Sequence, residues 1–192
     1  MTFFRRVLNM DHPAHAEPIP PSTPLPAPLP GETSSVKIIA AKLAAYPPEQ
    51  ARYLAAYAYL LNRAATADLA TSDLESAEMA RLIAEAGGLA HADAELVMEV
   101  AHTLQSEYGA TEDFLVTREF KAISTAEQRL ALIHCCFLVA SADDEIGEDE
   151  SWLVNRMAEE LDVPQPDLNR VRAEFHERLS SVRSIRRYAA QN

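Results

Sequence analysis

Glycine is scarce in this chain. Only five of the 192 residues are glycine, whereas alanine is abundant, and such a composition favours helix. Long apolar runs are also missing, because the longest, from residue 130 to residue 140, has eleven residues and contains His134. A helix needs roughly 20 apolar residues to span a bilayer. The sequence therefore predicts a helical protein without a transmembrane segment.

Positive charge is in short supply. The chain has 17 lysines and arginines against 29 aspartates and glutamates, a formal net charge of −12. Nucleic-acid affinity depends on neutralising phosphates, so a nucleic-acid partner is not expected. No apolar stretch follows Arg5 and Arg6 as it would in a signal peptide. The sequence therefore predicts a cytoplasmic protein.

Cysteine is limited to the adjacent pair Cys135 and Cys136. Neighbours in a helix point about 100° apart, and a disulfide between them would be strained. Both residues lie in an apolar context, which is typical of cysteine in a hydrophobic core. We therefore predict two core thiols.

Proline is concentrated near the N-terminus, where eight prolines lie between Pro13 and Pro30. Their alternation with leucine and alanine favours an extended polyproline II conformation. The composition predicts an apolar-basic stub with a Pro-rich linker over residues 1–33, a helical domain over residues 34–180 and a basic tail over residues 181–192. The linker is either a solvated spacer or a ligand strip for a groove on a protein partner. In the second case the partner-binding residues are the apolar side chains of stub and strip, namely Phe3, Phe4, Val7, Leu8, Leu25 and Leu29.

A helical segment occurs twice after residue 34, and each copy is broken by an acidic elbow. A shift of 75 residues pairs Asp68 with Asp143 and Glu75 with Glu150, and a fixed period of this kind reveals how a fold is assembled. Amphipathic spacing predicts helix in all the remaining segments. The predicted fold class is all-α, a compact bundle of about seven to eight helices with an internal pseudo-twofold helical-hairpin repeat, preceded by a disordered or extended Pro-rich arm.

The helices of the second copy are the most clearly marked. Ser124 with Glu127 forms a capping box that predicts a helix start. The helix that follows runs to about Ala142 and is apolar on nearly every side, which places it at the centre of the bundle. The next helix is predicted to be amphipathic and to start near Glu148, and its apolar residues are Trp152, Leu153, Met157 and Leu161.

The second elbow gathers six carboxylates within eight residues, from Asp143 to Glu150. Either the positive end of the following helix or a hard cation such as Ca²⁺ or Mg²⁺ could offset their repulsion. The spacing matches half of an EF-hand loop, but Val139 lacks the side-chain oxygen that such a loop needs and Asp144 replaces its glycine. Two alternatives stay open: a partly hydrated cation site using Asp143, Glu145 and Glu150, or caps with solvated charge.

These residues resemble a known family. The run Ala142-Asp143-Asp144-Glu145-Ile146 with Glu150, set between an apolar helix and an amphipathic one, is similar to the tellurite-resistance TerB family and to the N-terminal region of the DjlA co-chaperones. The resemblance covers about residues 35–180. It implies an all-helical domain with pseudo-twofold repeats, acidic loops suspected of binding metal ions, and a link to metal or envelope stress. The metal ligands that it implies are Asp143, Glu145 and Glu150, with Asp68 and Glu75 in the first copy.

The sequence contains no Gly-rich phosphate loop and no nucleophile-elbow motif. We therefore predict no catalytic residue and no cofactor other than a divalent cation at the second elbow. The predicted function is a non-enzymatic, stress-associated adaptor that binds a protein partner through its Pro-rich arm and its acidic face. A divalent-metal sensor or buffer is the first alternative, and a carboxylate-based hydrolase is the second.

Overall fold

A computed structural model describes residues 2–8, 20, 22–65, 73–104, 110–142 and 145–183 of the chain. In these ranges the β-type pairing is confined to one isolated bridge between Ile146 and Leu179, which confirms the all-α prediction. None of the helices described is long and apolar enough to cross a membrane. The helices are α1 (Thr2–Val7), α2 (Ser34–Leu43), α3 (Pro48–Ala64), α4 (Asp73–Gly87), α5 (His91–Thr103), α6 (Ala110–Ile123), α7 (Ala126–Ala140), α8 (Glu148–Glu160), α9 (Gln165–Glu174) and a 3₁₀ turn at His176–Arg178.

The order of the helices repeats along the chain. A shift of 75 residues brings Asp73, the first residue of α4, onto Glu148, the first residue of α8. The same shift brings α2, α3 and α5 onto α6, α7 and α9, with starts that differ by at most three residues. The predicted hairpin repeat therefore extends to four helices in each half of the domain.

Helices α3 and α7 form the centre of the domain. α3 packs against α5, α6 and α7, and α7 packs in turn against α4, α8 and α9. The predicted central position of α7 is confirmed, and its two cysteines are free and buried as predicted. Its fully buried side chains are Leu132, Ile133, Cys135, Cys136 and Phe137.

Aromatic pairs tie the outer helices to this centre. The rings of Tyr53 on α3 and Phe120 on α6 are stacked with centroids 5.4 Å apart. The rings of Phe137 on α7 and Phe175 after α9 are stacked at 5.5 Å. Such pairs add about 0.5–1.5 kcal/mol beyond the burial of their area, so α6 and the end of α9 are each fixed by a specific contact as well as by general packing.

The capping box of α7 differs from the predicted one. Thr125 and Gln128 form it: Gln128 N donates to Thr125 Oγ1 at 3.2 Å, and Thr125 N donates to Gln128 Oε1 at 2.8 Å. The predicted pair of Ser124 and Glu127 is wrong, because Ser124 Oγ donates to Phe120 O at 2.5 Å. Two capping registers overlap in this sequence, and the one adopted also leaves Ser124 to satisfy a carbonyl in the last turn of α6.

Candidate functional site

The second elbow joins α7 to α8 and is fixed by the segment that follows α9. Ile146 is fully buried, and its N–H donates to Arg178 O at 2.7 Å while its carbonyl accepts from Ser180 N at 2.9 Å. Arg178 Nη1 donates to Ser141 Oγ at 2.9 Å. The start of the elbow and its end are therefore both held by the C-terminal part of the domain.

Two of the predicted metal ligands on this elbow already have roles in the fold. Glu150 Oε2 accepts from Gly147 N at 2.7 Å, so this carboxylate caps the start of α8. Glu145 Oε2 lies 3.5 Å from Arg183 Nη1. A carboxylate that accepts from an N–H group or a guanidinium has fewer lone pairs free for a cation, and the guanidinium also repels the cation.

The other predicted metal ligands fall where the structure gives little. Asp143 and Asp68 lie outside the described residues, and of Glu75 only the backbone, inside α4, is described. Within the described ranges, no three histidine, cysteine, aspartate or glutamate side chains come together as a metal site. Glu145 and Glu150 thus form no cation site by themselves, and a divalent cation at the elbow stays a prediction that depends on Asp143.

The predicted partner-binding side chains of α1 lie inside the protein. Phe3, Phe4, Val7 and Leu8 are each at most 1% exposed, and α1 packs against α3. The rings of Phe3 and Phe4 meet edge to face with centroids 5.3 Å apart. In this arrangement the stub is a ligand of its own domain, and it can bind a partner only after leaving that position.

A buried arginine of α3 holds the Pro-rich arm. Arg52 Nη2 donates to Thr23 O at 2.5 Å, and Arg52 Nη1 donates to Pro20 O at 3.5 Å. Burial lowers the pKa of the Arg52 guanidinium, and the nearby Glu119 carboxylate opposes that shift. Glu119 lies on α6 and is only 1% exposed. The arm therefore covers a pair of opposite charges that belongs to the body of the domain.

The rest of the arm lies along the surface. Arg6 Nη1 donates to Ala27 O at 3.1 Å, which links the arm to α1. Leu25 is partly buried against the core, whereas Leu29 is 43% exposed. The structure thus presents Leu29 to solvent and keeps the other five predicted partner-binding side chains against the domain.

A polar network that the sequence did not predict joins the two halves of the domain. Arg63 Nη1 on α3 lies 2.8 Å from Glu160 Oε2 on α8, and Arg63 Nε lies 3.2 Å from Asp113 Oδ2 on α6. Tyr59 Oη donates to Asp113 Oδ1 at 2.9 Å, and Thr117 Oγ1 donates to Asp113 O at 2.8 Å. Burial by itself would raise the pKa of Glu160, but the hydrogen bonds and positive charges of Arg63 and Arg156 together outweigh it, and the pKa lies below its usual value.

Trp152 faces away from the core, which corrects its expected place among the apolar residues of α8. It is 60% exposed, whereas Val154, Met157 and Ala158 form the buried side of the helix. The signal was present in the sequence: at 100° per residue, position 152 falls opposite these three and beside Arg156. The apolar character of tryptophan, taken without its position on the helix, favours the core and so gives the wrong expectation for Trp152.

These features define an all-helical domain of two related four-helix units, with an acidic elbow after the buried second helix of the second unit. A scan against protein-family models matches residues 54–173 to the family described as Tellurite resistance protein TerB. The match covers more than half of the chain, and the chain belongs to the TerB family. No curated protein and no solved structure matched. Family membership confirms the resemblance read from the second elbow and identifies a helical module related to tellurite resistance.

Proposed function

We propose that the chain is a non-enzymatic, stress-associated adaptor that binds a protein partner through its N-terminal arm and its acidic face. Membership of the TerB family supports the coarser statement, a helical module related to tellurite resistance. The observation that supports the finer statement is the docking of α1, a short helix that buries four apolar side chains and is joined to α2 through the Pro-rich segment. Short apolar helices that lie in grooves are a recurring mode of peptide recognition.

The arm has two alternative positions in this proposal. In the free chain, α1 lies on its own domain, and in the complex the same four side chains occupy a groove on the partner. Because α1 is tethered to the domain, its effective concentration at its own groove is on the order of millimolar, so a partner must bind α1 more tightly than the domain does. The acidic face comprises the exposed Glu148, Asp149 and Glu159 of α8, and in both states it steers a partner of opposite charge.

Two substitutions release the arm without touching its apolar anchors. Arg52→Gln removes the donor to Thr23 O, and Arg6→Gln removes the donor to Ala27 O while leaving Arg52 in place. Each should shift α1 toward the released state, so a tagged chain should recover more partner from native extract than the wild-type chain does. Circular dichroism melting curves verify that each variant is folded.

A third variant removes the anchors. Phe3→Ala combined with Phe4→Ala deletes the two aromatic rings that the partner's groove would take, so partner recovery should fall below that of the wild-type chain. The opposite responses of release and anchor variants separate a partner-binding arm from one that merely stabilises the domain. Equal recovery with all variants would contradict the proposal.

A divalent cation at the second elbow is the alternative function, supported by the six carboxylates between Asp143 and Glu150. Calorimetric titration with Ca²⁺, Mg²⁺, Mn²⁺ and Zn²⁺ tests it. A sensor site has a dissociation constant on the order of micromolar, and Asp143→Asn combined with Glu150→Gln should abolish it. Glutamine at position 150 still accepts from Gly147 N–H, so the helix cap survives. Binding that also disappears in the control Glu49→Gln/Glu127→Gln would not be binding at the elbow.

A further inference from the structure

The outward side of α8 forms a continuous stripe of exposed residues. The helix buries Val154, Met157 and Ala158 against the core, and its exposed side chains follow one another on the opposite side. We call this surface the Trp152 stripe, and its members are Glu148, Asp149, Trp152, Arg156 and Glu159.

Trp152 is the centre of the stripe and the only tryptophan of the chain. At 60% exposure it is the most exposed large apolar side chain among the described residues. It lies between two shallow depressions with volumes of about 270 and 300 Å³. One is lined by Arg156, Glu159 and Glu160, and the other by Glu148 and three serines together with the apolar Ile146 and Leu179. An exposed indole bordered by concave surface of mixed polar and apolar character is typical of an interface anchor.

The charge of the stripe is unbalanced. Arg156 pairs with Glu160 at 3.4 Å, and Glu160 is also bound to Arg63. Among the residues that the structure describes, Glu148, Asp149 and Glu159 enter no ion pair with any basic side chain. Three negative charges around Trp152 are therefore available to a cationic ligand, and they repel phosphate groups.

The indole already accepts one guanidinium. The Cζ atom of Arg156 lies 5.4 Å from the centroid of the Trp152 ring, within the range of a cation–π contact. Trp152 is nevertheless largely exposed, so part of the indole remains accessible to a second guanidinium. Arginine is better suited than lysine to this contact, because its planar guanidinium stacks on aromatic rings and is weakly hydrated.

We propose that the Trp152 stripe binds an arginine-rich extended segment of a protein partner. This inference rests on the proposed adaptor function and specifies the chemistry of the segment that the acidic face would bind. One arginine stacks on Trp152, and flanking arginines pair with Glu148 and Glu159. These two glutamates are eleven positions apart, about 16 Å along the helix axis at a rise of about 1.5 Å per residue. An extended segment of about five residues spans that distance.

The intrinsic fluorescence of Trp152 reports on the site directly, because no other tryptophan contributes to the emission. Hexa-arginine amide added to the full chain should change the emission saturably, and added salt should weaken its binding. It should bind about fivefold more tightly than hexa-lysine amide, since a stacking contact at an exposed site is worth about 1 kcal/mol. Equal affinity for the two peptides would show that no arginine stacks on Trp152, and it would overturn the proposal.

Matched variants locate the binding. Glu148→Gln combined with Glu159→Gln should weaken hexa-arginine binding about tenfold, whereas Glu49→Gln combined with Glu127→Gln, which removes the same charge from exposed positions elsewhere, should change it less than about twofold. Trp152→Gln, followed by calorimetry, should remove the preference for arginine over lysine, and the exposed control Phe114→Gln should keep it. Equal weakening by both glutamate pairs would show non-specific attraction and overturn the proposal.

Three further outcomes are decisive. Hexa-arginine binding that is more than about twofold tighter in Arg186→Gln/Arg187→Gln than in the charge-matched control Arg81→Gln/Arg170→Gln would show that the chain's own basic tail competes for the stripe, and would overturn the assignment to an external segment. Failure of the peptide to bind while the arm variants still change partner recovery would overturn this inference alone. Unchanged partner recovery in the arm variants, with peptide binding intact, would instead overturn the arm's part in the proposed function.

Discussion

At the residue scale, Arg63 links charges from three helices. Its side chain is 12% exposed and lies between the carboxylates of Asp113 and Glu160. Arg63 comes from the first four-helix unit, whereas the two acids come from the second. The removal of one member of such a group leaves a partly buried charge without compensation, which costs far more than the loss of an exposed pair.

Arg63→Met should therefore lower the free energy of unfolding at pH 7 by about 2–4 kcal/mol, because Asp113 loses its guanidinium partner and Glu160 keeps only the exposed Arg156. Urea denaturation measures the change. Arg81 is the matched control, since it also pairs with two acids, Glu78 and Glu85, but on an exposed helix face. Arg81→Met should leave stability nearly unchanged, and equal losses in the two variants would mean that Arg63 is solvated in solution.

The same group gives the protein an acid-sensitive component. Burial raises the pKa of Glu160, but the hydrogen bonds and charges of Arg63 and Arg156 together outweigh burial, so the pKa is depressed. Its stabilising contribution is complete above the usual glutamate pKa and is lost as the pH falls through the depressed value. Urea denaturation between pH 7 and pH 3 should show a smaller acid loss in Glu160→Gln than in the wild-type chain. Parallel pH profiles for the two proteins would rule out this role of Glu160.

The thiols give the opposite pH dependence. Burial raises the pKa of Cys135 to about 11 from a usual value of 9.0, and the neighbouring Tyr57 hydroxyl offsets part of that effect. Above pH 9 the unfolded chain loses the thiol proton before the folded chain does, so stability falls as the pH rises toward 11, by up to about 1.4 kcal/mol per pH unit. Cys135→Ala should flatten this alkaline slope in denaturation experiments. An identical slope would place the thiol in contact with water.

At the scale of the element, the helices could be predicted from the sequence and their exact contacts could not. Apolar periodicity and proline or glycine boundaries determine the ends of α3, α4 and α8 locally. The capping register of α7 could not be predicted from the sequence, because Ser124 and Thr125 can each begin a capping box. The structure selects Thr125, and Ser124 instead donates to a backbone carbonyl of α6. The partners of Arg63 could not be predicted either, because Glu160 is 97 positions away in the sequence and no local pattern relates the two residues.

The end of α4 approaches α3 and α7 closely at Gly87. A Cβ atom on Gly87 would lie 2.7 Å from Tyr57 Oη and 3.3 Å from Cys135 Sγ, and both are buried. Gly87→Ala should therefore destabilise the domain by about 1–3 kcal/mol through overpacking. Gly88 faces open space but has φ +63, so Gly88→Ala should cost about 1 kcal/mol through backbone strain alone. Thermal unfolding of the two variants compares these costs, and a larger loss at Gly88 would mean that Tyr57 yields easily.

At the scale of the whole molecule, the repeat and the central α7 could be predicted from the sequence, whereas the docking of α1 could not. The 75-residue period is visible because it repeats acids and apolar runs in the same order. A six-residue helix has too few internal hydrogen bonds to be stable by itself, and nothing in Thr2–Val7 indicates which surface will cover it. The position of α1 depends on a groove that exists only once α3 has packed, so it is a property of the folded domain.

The apolar side chains of α1 can stabilise the domain by no more than the free energy with which α1 docks on it. Loss of a core phenylalanine side chain usually costs about 3–5 kcal/mol, but α1 can undock instead of keeping a cavity, so Phe4→Ala should cost less, about 2 kcal/mol. Once α1 has undocked, a second substitution removes no further contact, and Phe3→Ala added to Phe4→Ala should cause little additional loss. The exposed control Leu29→Ala should change stability by less than about 0.5 kcal/mol.

Urea denaturation measures the stability of all three variants. The loss at which the Phe4 and Phe3 substitutions level off is the free energy of docking, which a partner must supply to capture the arm. Additive losses from Phe3 and Phe4 would mean that α1 unfolds only with the whole domain, and an arm held that firmly could not serve as an exchangeable ligand.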